Sequence, residues 1–142
     1  MAKKNIMEQI ENRAPFTGVF VEGEDAVKLQ KMFLKNMKSL GLSVPNNWKE
    51  PEDYHMTVKL GYLKLGRKMA GDIGAEVDLV ADSIGFDENA VAVGVTGYMS
   101  KNIRQHITML FKEVPSDSNK INPENWIKIP FAFSVKGVIR EI

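Results

Sequence analysis

The sequence contains no cysteine and only two histidines. Without thiols there are no disulfide bridges, no thiolate nucleophiles and no cysteine-ligated zinc. Two histidines without cysteine also disfavour a histidine-rich metal centre. We therefore expect neither a metal site nor another cofactor.

Excess charge of one sign and long apolar runs are also lacking. The net charge is +1, so long nucleic acid is not attracted electrostatically and binding to duplexes is not expected. No apolar run approaches the length of a membrane span, and the first residues lack the apolar segment of a signal peptide. We expect a cytoplasmic protein without a membrane partner.

The chain has 142 residues, of which 44% are hydrophobic and 26% charged. These values suit one compact domain, residues 1–142, with a core of its own. Residues 24–40 carry apolar side chains at helical spacing, and Gly41 stands where a helix commonly ends. Residues 5–12 and 63–75 are compatible with short helices or irregular chain.

Short segments with β-branched and aromatic residues predict strands. They cover residues 15–21, 54–62, 76–86, 90–97, 106–112, 127–129 and 131–142, the last with a bulge or bend at Gly137. Residues 87–89 would turn a hairpin between two of them. Many strands and one clear helix indicate an α+β fold with a largely antiparallel sheet.

Both histidines lie in the same four-residue pattern, His55-Met56-Thr57-Val58 and His106-Ile107-Thr108-Met109. The chain has only four threonines, and chance would place one two residues after each histidine in about one arrangement in a thousand. Alternate residues of a strand share a face. Each motif therefore presents an imidazole beside a hydroxyl, with the apolar residues turned into a core.

Two such pairs facing each other across a groove would suit a phosphodiester. Imidazole titrates near neutrality, so one histidine serves as base while the other serves as acid. The hydroxyls of Thr57 and Thr108 would donate hydrogen bonds to the phosphoryl oxygens as charge develops on them. We therefore predict His55, His106, Thr57 and Thr108 as catalytic residues, and the sequence leaves open which histidine is the base.

Other side chains near the motifs are candidates for substrate binding. Lys59 follows the first motif on the same face and would reach a phosphate as a point charge. Lys101 and Arg104 precede the second motif, where loop residues commonly bind ligands. Tyr98 and Trp126 are candidates for stacking on a base.

The paired motifs resemble those of the 2H phosphoesterase superfamily, which is named for two H-x-[T/S] motifs on strands lining one cleft. Its members include 2′,3′-cyclic phosphodiesterases of RNA repair, bacterial 2′-5′ RNA-ligase-like proteins and phage nucleases that destroy cyclic oligonucleotide signals. The resemblance implies a bilobal α+β domain with antiparallel sheets around a central cleft and one or two packed helices. It also implies a location in a microbe, or in a host cell if the gene is carried by a phage.

The sequence thus predicts a metal-independent phosphodiesterase. Its substrate would be a cyclic or short nucleotide phosphodiester, either an RNA terminus with a 2′,3′-cyclic phosphate or a cyclic oligonucleotide signal. Two alternatives remain, a non-catalytic module that binds nucleotides or phosphate on the same scaffold, and a structural protein without a ligand. The oligomeric state stays open.

Overall fold

A computed structural model describes residues 16–44, 46–60, 72–98 and 104–141. The predictions for residues 5–12 and for most of residues 63–75 lie outside these ranges. The described chain contains one main helix, α1 (Gly23–Ser39), and two short 3₁₀ helices, Pro115–Lys120 and Pro123–Asn125. Its strands are β1 (Phe16–Val21), β2 (Tyr54–Leu60), β3 (Glu76–Phe86), β4 (Ala90–Thr96), β5 (His106–Phe111) and β6 (Trp126–Glu141).

The six strands form one closed antiparallel barrel in the order β1-β2-β5-β4-β3-β6. The predicted hairpin is confirmed, since β3 and β4 pair from Phe86↔Val91 to Val80↔Thr96. The prediction of a bilobal α+β domain with sheets around a central cleft is wrong. A single barrel replaces the two lobes because β6 pairs with β1 through one part of its length and with β3 through the other, which joins the two edges of the sheet.

The two separate strands predicted at the end of the sequence are one strand with an irregularity. Ala81 pairs with Phe133 and Ser83 with Lys128, so four residues of β6 stand opposite one residue of β3. Pro130 lies within this irregularity, where its missing N–H removes no ladder hydrogen bond. The sequence alone favoured a break at this proline because a proline inside a central strand normally interrupts pairing.

The buried side chain of Asn36 in α1 satisfies the backbone at this irregularity. Its Oδ1 accepts a hydrogen bond of 2.9 Å from the Phe131 N–H, and its Nδ2 donates one of 3.0 Å to the Phe131 carbonyl. Asn36 is fully buried, and these hydrogen bonds satisfy the polar atoms of its side chain. This contact ties α1 to β6.

The predicted helix end at Gly41 is confirmed. Gly41 has a φ of 72°, and the N–H groups of Gly41 and Leu42 donate to the carbonyls of Lys38 and Met37. This pair of hydrogen bonds is the Schellman motif, in which the positive φ favours glycine. The pairing of β6 with β3 runs through Gly137 without a register shift, so the predicted bulge is absent there. The glycine allows β6 to approach β1, since an added Cβ would lie 2.4 Å from Val19 Cγ1.

Apolar side chains fill the interior of the barrel and continue under one face of α1. The helix contributes Leu29, Phe33 and Met37 to the same core. The strands contribute Val19, Val21, Met56, Val58, Leu79, Ala81, Ile84, Val91, Val93, Val95, Ile107, Met109, Leu110, Ile129, Phe133, Val135 and Ile139. Because strand side chains alternate between faces, residues between these positions point to the outside of the barrel.

Among the described residues, no helix has the length and apolar character that crossing a membrane requires.

Candidate active site

The two H-x-T motifs occupy neighbouring strands of the barrel. Met56 in β2 and Ile107 in β5 are both fully buried in the interior and pair directly with each other. Since His55, Thr57, His106 and Thr108 are their immediate neighbours along the strands, all four side chains lie on the outer face. The expectation that Met56 and Ile107 turn into a core is confirmed.

The strand register brings the two motifs together. In an antiparallel ladder, the pairing of Met56 with Ile107 places His55 opposite Thr108 and Thr57 opposite His106. Directly opposed side chains have Cβ atoms about 5 Å apart. Each imidazole therefore lies beside its own threonine along the strand and opposite the other motif's threonine across the ladder, rather than facing its partner across a cleft between lobes.

A surface cavity of about 490 Å³ lies over these four residues. The outer face of the barrel forms its floor, the loop before β2 forms one wall, and the 3₁₀ helix Pro115–Lys120 forms another. The described residues that line it are Phe16, Glu50, Pro51, Glu52, Asp53, His55, Thr57, His106, Thr108, Phe111, Pro115, Ser116, Ser118 and Asn119. The cavity thus combines both imidazoles and both hydroxyls with apolar and acidic walls.

His55 is held by a carboxylate and two aromatic rings. Its Nδ1 donates a hydrogen bond of 2.7 Å to Asp53 Oδ1. The ring of Phe20, its direct partner on β1, stacks at a centroid distance of 5.2 Å, and that of Phe16 lies at 4.9 Å. With Nδ1 engaged, Nε2 is the nitrogen that remains for a ligand.

His106 is more deeply buried and has different partners. Its Nδ1 donates a hydrogen bond of 2.7 Å to the Arg104 carbonyl, and its Nε2 lies 3.0 Å from Ser118 Oγ. Burial lowers the pKa of His106 below its usual 6.5, and the positive charge of His55 acts in the same direction. The Arg104 carbonyl and the Asn119 side chain oppose this shift by favouring the cation. The neutral form of His106 is therefore favoured near pH 7.

Ser118 joins the second motif to the 3₁₀ helix. Its Oγ lies 2.7 Å from Thr108 Oγ1 and 3.0 Å from the Pro115 carbonyl oxygen, to which it can donate a hydrogen bond. The helix is placed by Ile121, which packs with Ala90, Ala92 and Trp126 on the outer face of β4. Small residues on β4 thus allow the segment to lie close to the barrel and to carry Ser118 into the site.

Arg104 and Trp126 lie against each other beside His106. The Arg104 guanidinium stands 5.1 Å from the Trp126 ring, and its Nη2 donates a hydrogen bond of 2.7 Å to Ser83 Oγ. Trp126 lies closely over Gly85, and its ring is 6.0 Å from that of His106. Neither residue is among the described residues that line the cavity, although both border one of its imidazoles.

The other predicted binding residues lie elsewhere or outside the described side chains. Tyr98 donates a hydrogen bond of 2.9 Å to Asp72 Oδ2, and burial and this carboxylate raise the pKa of Tyr98 to about 12. Tyr98 is not in the described lining of the cavity. Lys59 pairs with Thr17 in the ladder, but its side chain and all of Lys101 lie outside the described part of the chain.

The sequence did not indicate Phe111, Phe16 or Ser118 as site residues. Strict alternation from His106 and Thr108 would place Phe111 on the inner face, but Ala92 pairs with Thr108 and Val91 with Leu110, so β5 carries an extra residue. Such a bulge exchanges the faces beyond it and turns Phe111 to the cavity. Ser118 belongs to a turn-rich loop, and only the short spacing from β5 hinted that this loop folds back.

In the described part of the chain, no group of three or more histidine, cysteine, aspartate or glutamate side chains is arranged to hold a metal ion. No protein-family model matches the sequence, and no curated protein matches it either.

Proposed function

We propose that the protein is a phosphodiesterase that hydrolyses a cyclic or short nucleotide phosphodiester without a metal ion. The observation that carries the proposal is the joint presence of His55, His106, Thr57 and Thr108 in the lining of one cavity. Acid, base and hydroxyl donors thereby line the same cavity, as the chemistry of a bound phosphodiester requires. A cytoplasmic location belongs to the same proposal.

The unequal surroundings of the histidines suggest their roles. His106 holds its Nδ1 proton on a carbonyl and favours the neutral form, so it serves as the base. Its Nε2 takes the proton of the Ser118 hydroxyl that it contacts, and Ser118 Oγ, which lines the cavity, takes a proton from the attacking water. The water oxygen bonds to phosphorus, the bond to the leaving oxygen breaks, and protonated His55 gives its Nε2 proton to that oxygen. The Asp53 carboxylate stabilises the cationic ring of His55 before transfer.

The walls of the cavity favour a small substrate. Three carboxylates, from Glu50, Glu52 and Asp53, line one side, and they repel the successive phosphates of a long strand. Phe16 and Phe111 provide apolar surface of the kind on which a nucleobase stacks. A terminal cyclic phosphate or a small cyclic oligonucleotide meets both conditions.

Hydrolysis of a 2′,3′-cyclic mononucleotide and of cyclic dinucleotides, each in excess EDTA, tests the proposal. Turnover is expected with at least one substrate, and His55→Ala and His106→Ala should each lower the rate about 10²- to 10⁴-fold. Lys31→Ala, an exposed change on α1, is the control. Activity that requires added metal, or that survives both histidine substitutions, would refute the proposal.

A non-catalytic nucleotide-binding module is the second candidate. The observation in its favour is that Ser118 already contacts both His106 Nε2 and Thr108 Oγ1, the atoms a reacting phosphate would use. Calorimetric binding of the same nucleotides without any product in EDTA or in added metal would support this candidate over the enzyme.

A further inference from the structure

The hydroxyl of Ser118 has three possible hydrogen-bond partners but only one proton to donate. Its Oγ lies 3.0 Å from His106 Nε2, 2.7 Å from Thr108 Oγ1 and 3.0 Å from the Pro115 carbonyl. Ser118 is 3% exposed, so water does not readily supply a missing partner. Since a hydroxyl donates one hydrogen bond and accepts up to two, its single proton goes to one of three acceptors, His106 Nε2, Thr108 Oγ1 or the Pro115 carbonyl.

The state of His106 decides that choice. The Arg104 carbonyl only accepts, so Nδ1 of His106 carries a proton in every state that keeps this contact. In the neutral ring, Nε2 is an acceptor and receives the Ser118 proton. In the cation, Nε2 carries a proton and donates a hydrogen bond to Ser118 Oγ, whose own proton then turns to Thr108 Oγ1 or to the Pro115 carbonyl. The Thr108 hydroxyl lies 2.7 Å from Ser118 Oγ and 3.4 Å from the same carbonyl, so it can act as donor or acceptor toward Ser118.

We propose that Ser118 orients His106 and connects its Nε2 to the cavity, and that the Ser118 hydroxyl reverses the direction of the hydrogen bond with Nε2 each time the imidazole gains or loses a proton. This inference rests on the proposed role of His106 in acid–base catalysis. A partner able both to donate and to accept keeps the ring in one orientation throughout the cycle. Nε2 then stays directed at Ser118 Oγ in the wall of the cavity instead of turning away when its protonation changes.

The scaffold holds Ser118 in this position. Pro115 begins the 3₁₀ helix, and the Ile121 N–H donates to the Ser118 carbonyl at the end of that helix. Ile121 in turn packs on Ala90 and Ala92 of β4. The hydroxyl is therefore placed by backbone structure, and the arrangement exists before a substrate binds.

Direct titration of the His106 ring by ¹⁵N NMR, with and without Ser118→Ala, tests the inference independently of activity. Loss of Ser118 removes an acceptor from the cation, whose hydrogen bonds are stronger than those of the neutral ring. The pKa of His106 should therefore fall further in Ser118→Ala. In the rate assay, kcat should fall about 10- to 100-fold, the acid limb should move to lower pH, and KM should change less than kcat.

Other charged groups near His106 remain the same in both proteins. They are His55 from β2, the carboxylates Glu50, Glu52 and Asp53 on the facing wall of the cavity, Arg104 against Trp126, and Asp117, which pairs with Lys120 in the 3₁₀ helix. The Asn119 side chain, whose hydrogen bond also favours the cation of His106, is likewise retained, so a difference between Ser118→Ala and the parent protein is assigned to the hydroxyl. Ser118→Thr retains the hydroxyl and should restore both the pKa of His106 and the pH profile.

Ser134→Ala, at an exposed position of β6 outside the cavity lining, is the matched control, and melting curves show that each variant is folded. A lowered His106 pKa in Ser118→Ala supports the inference about the hydrogen bond even if no phosphodiester is hydrolysed, a result that would refute only the proposed function. An unchanged or raised pKa overturns the inference, as does a Ser118→Thr variant that is folded but behaves like Ser118→Ala.

Discussion

Asp53 accepts a hydrogen bond of 2.7 Å from Nδ1 of His55, whereas the equivalent nitrogen of His106 donates to a backbone carbonyl. A carboxylate stabilises a cationic ring more strongly than a neutral carbonyl does. Two identical sequence motifs thus produce unequal imidazoles, and this difference underlies the assignment of His55 as acid and His106 as base.

Asp53→Asn should lower kcat about tenfold. The amide keeps an oxygen near Nδ1 but removes the negative charge, so the cationic ring of His55 is less well stabilised and less well oriented. The side chains of His55 and Asp53 are 29% and 37% exposed. Solvent therefore weakens their interaction, and the expected loss of rate is small. Steady-state kinetics on the preferred nucleotide measures it, with the exposed Asp78→Asn as control. Parent activity in Asp53→Asn would show that this contact does not assist His55.

The dependence of kcat/KM on pH should be bell-shaped, because one histidine must be neutral and the other protonated. Burial lowers the pKa of His106 below 6.5, so protonation of this base produces an acid limb below pH 6.5. The alkaline limb reports loss of the proton from the acid. A profile without an acid limb down to pH 4, in a protein that remains folded, would contradict the role of His106 as base.

The buried His106 should also make the fold less stable in acid. Its pKa is lowered in the folded state, first by burial and then by the charge of His55, so below pH 6.5 the unfolded chain binds a proton that the folded chain excludes. Stability is full above that pH and falls toward the folded pKa, by at most about 1.4 kcal/mol per pH unit for one proton. Urea unfolding between pH 5 and 8 measures this loss.

His106→Gln removes the titrating ring, so its unfolding free energy should depend less on pH over this interval. His55→Gln, the same change at the less buried histidine, is the matched control and should retain most of the dependence. If the unfolding free energy depends on pH in the same way in all three proteins, the loss of stability in acid comes from groups other than His106.

Local patterns in the sequence predicted the parts of the structure that depend on neighbouring residues. Alternation located Met56 and Ile107 in the core, and Gly41 marked the helix end because a positive φ is needed there. The closed barrel could not be inferred in the same way. Closure depends on β6 pairing with strands at opposite ends of the sheet, and pairing partners distant in sequence leave no local pattern.

The candidate site likewise combines residues that the sequence pattern predicts with residues that it does not. The two H-x-T motifs are each set by period-two alternation, so their shared face follows from the sequence once both lie in strands. Phe111 and Ser118 depend instead on a bulge in β5 and on a loop that folds back over β4. Such features arise from tertiary packing, and strict alternation along the strand would place Phe111 on the opposite face.

The pairing of Asn36 with Phe131 is another long-range feature that the sequence does not reveal, and Asn36→Leu tests it. Leucine has a similar size but leaves the N–H and carbonyl of Phe131 without their side-chain partners. The free energy of unfolding should fall by about 2 to 4 kcal/mol. Chemical denaturation measures the change, and Lys31→Leu on the exposed side of α1 should stay within about 0.5 kcal/mol of the parent. Equal stability of both variants would mean that the backbone at the irregularity finds other partners.

Replacing the motif threonines by valine should lower the rate with little loss of stability. Valine keeps the β-branched shape that suits a strand, while the hydroxyl that donates to the phosphoryl oxygens is lost. By comparison with the loss of an oxyanion-hole donor, Thr57→Val and Thr108→Val should each lower kcat roughly 10- to 1000-fold, and the double variant should be slower than either. Thr108→Val also removes the contact with Ser118, so its effect should be the larger.

Thr96→Val, at an exposed position of β4, controls for the substitution itself. If both motif variants turn over substrate like Thr96→Val, the hydroxyls do not stabilise the transition state, and the catalytic proposal would then rest on His55 and His106 alone.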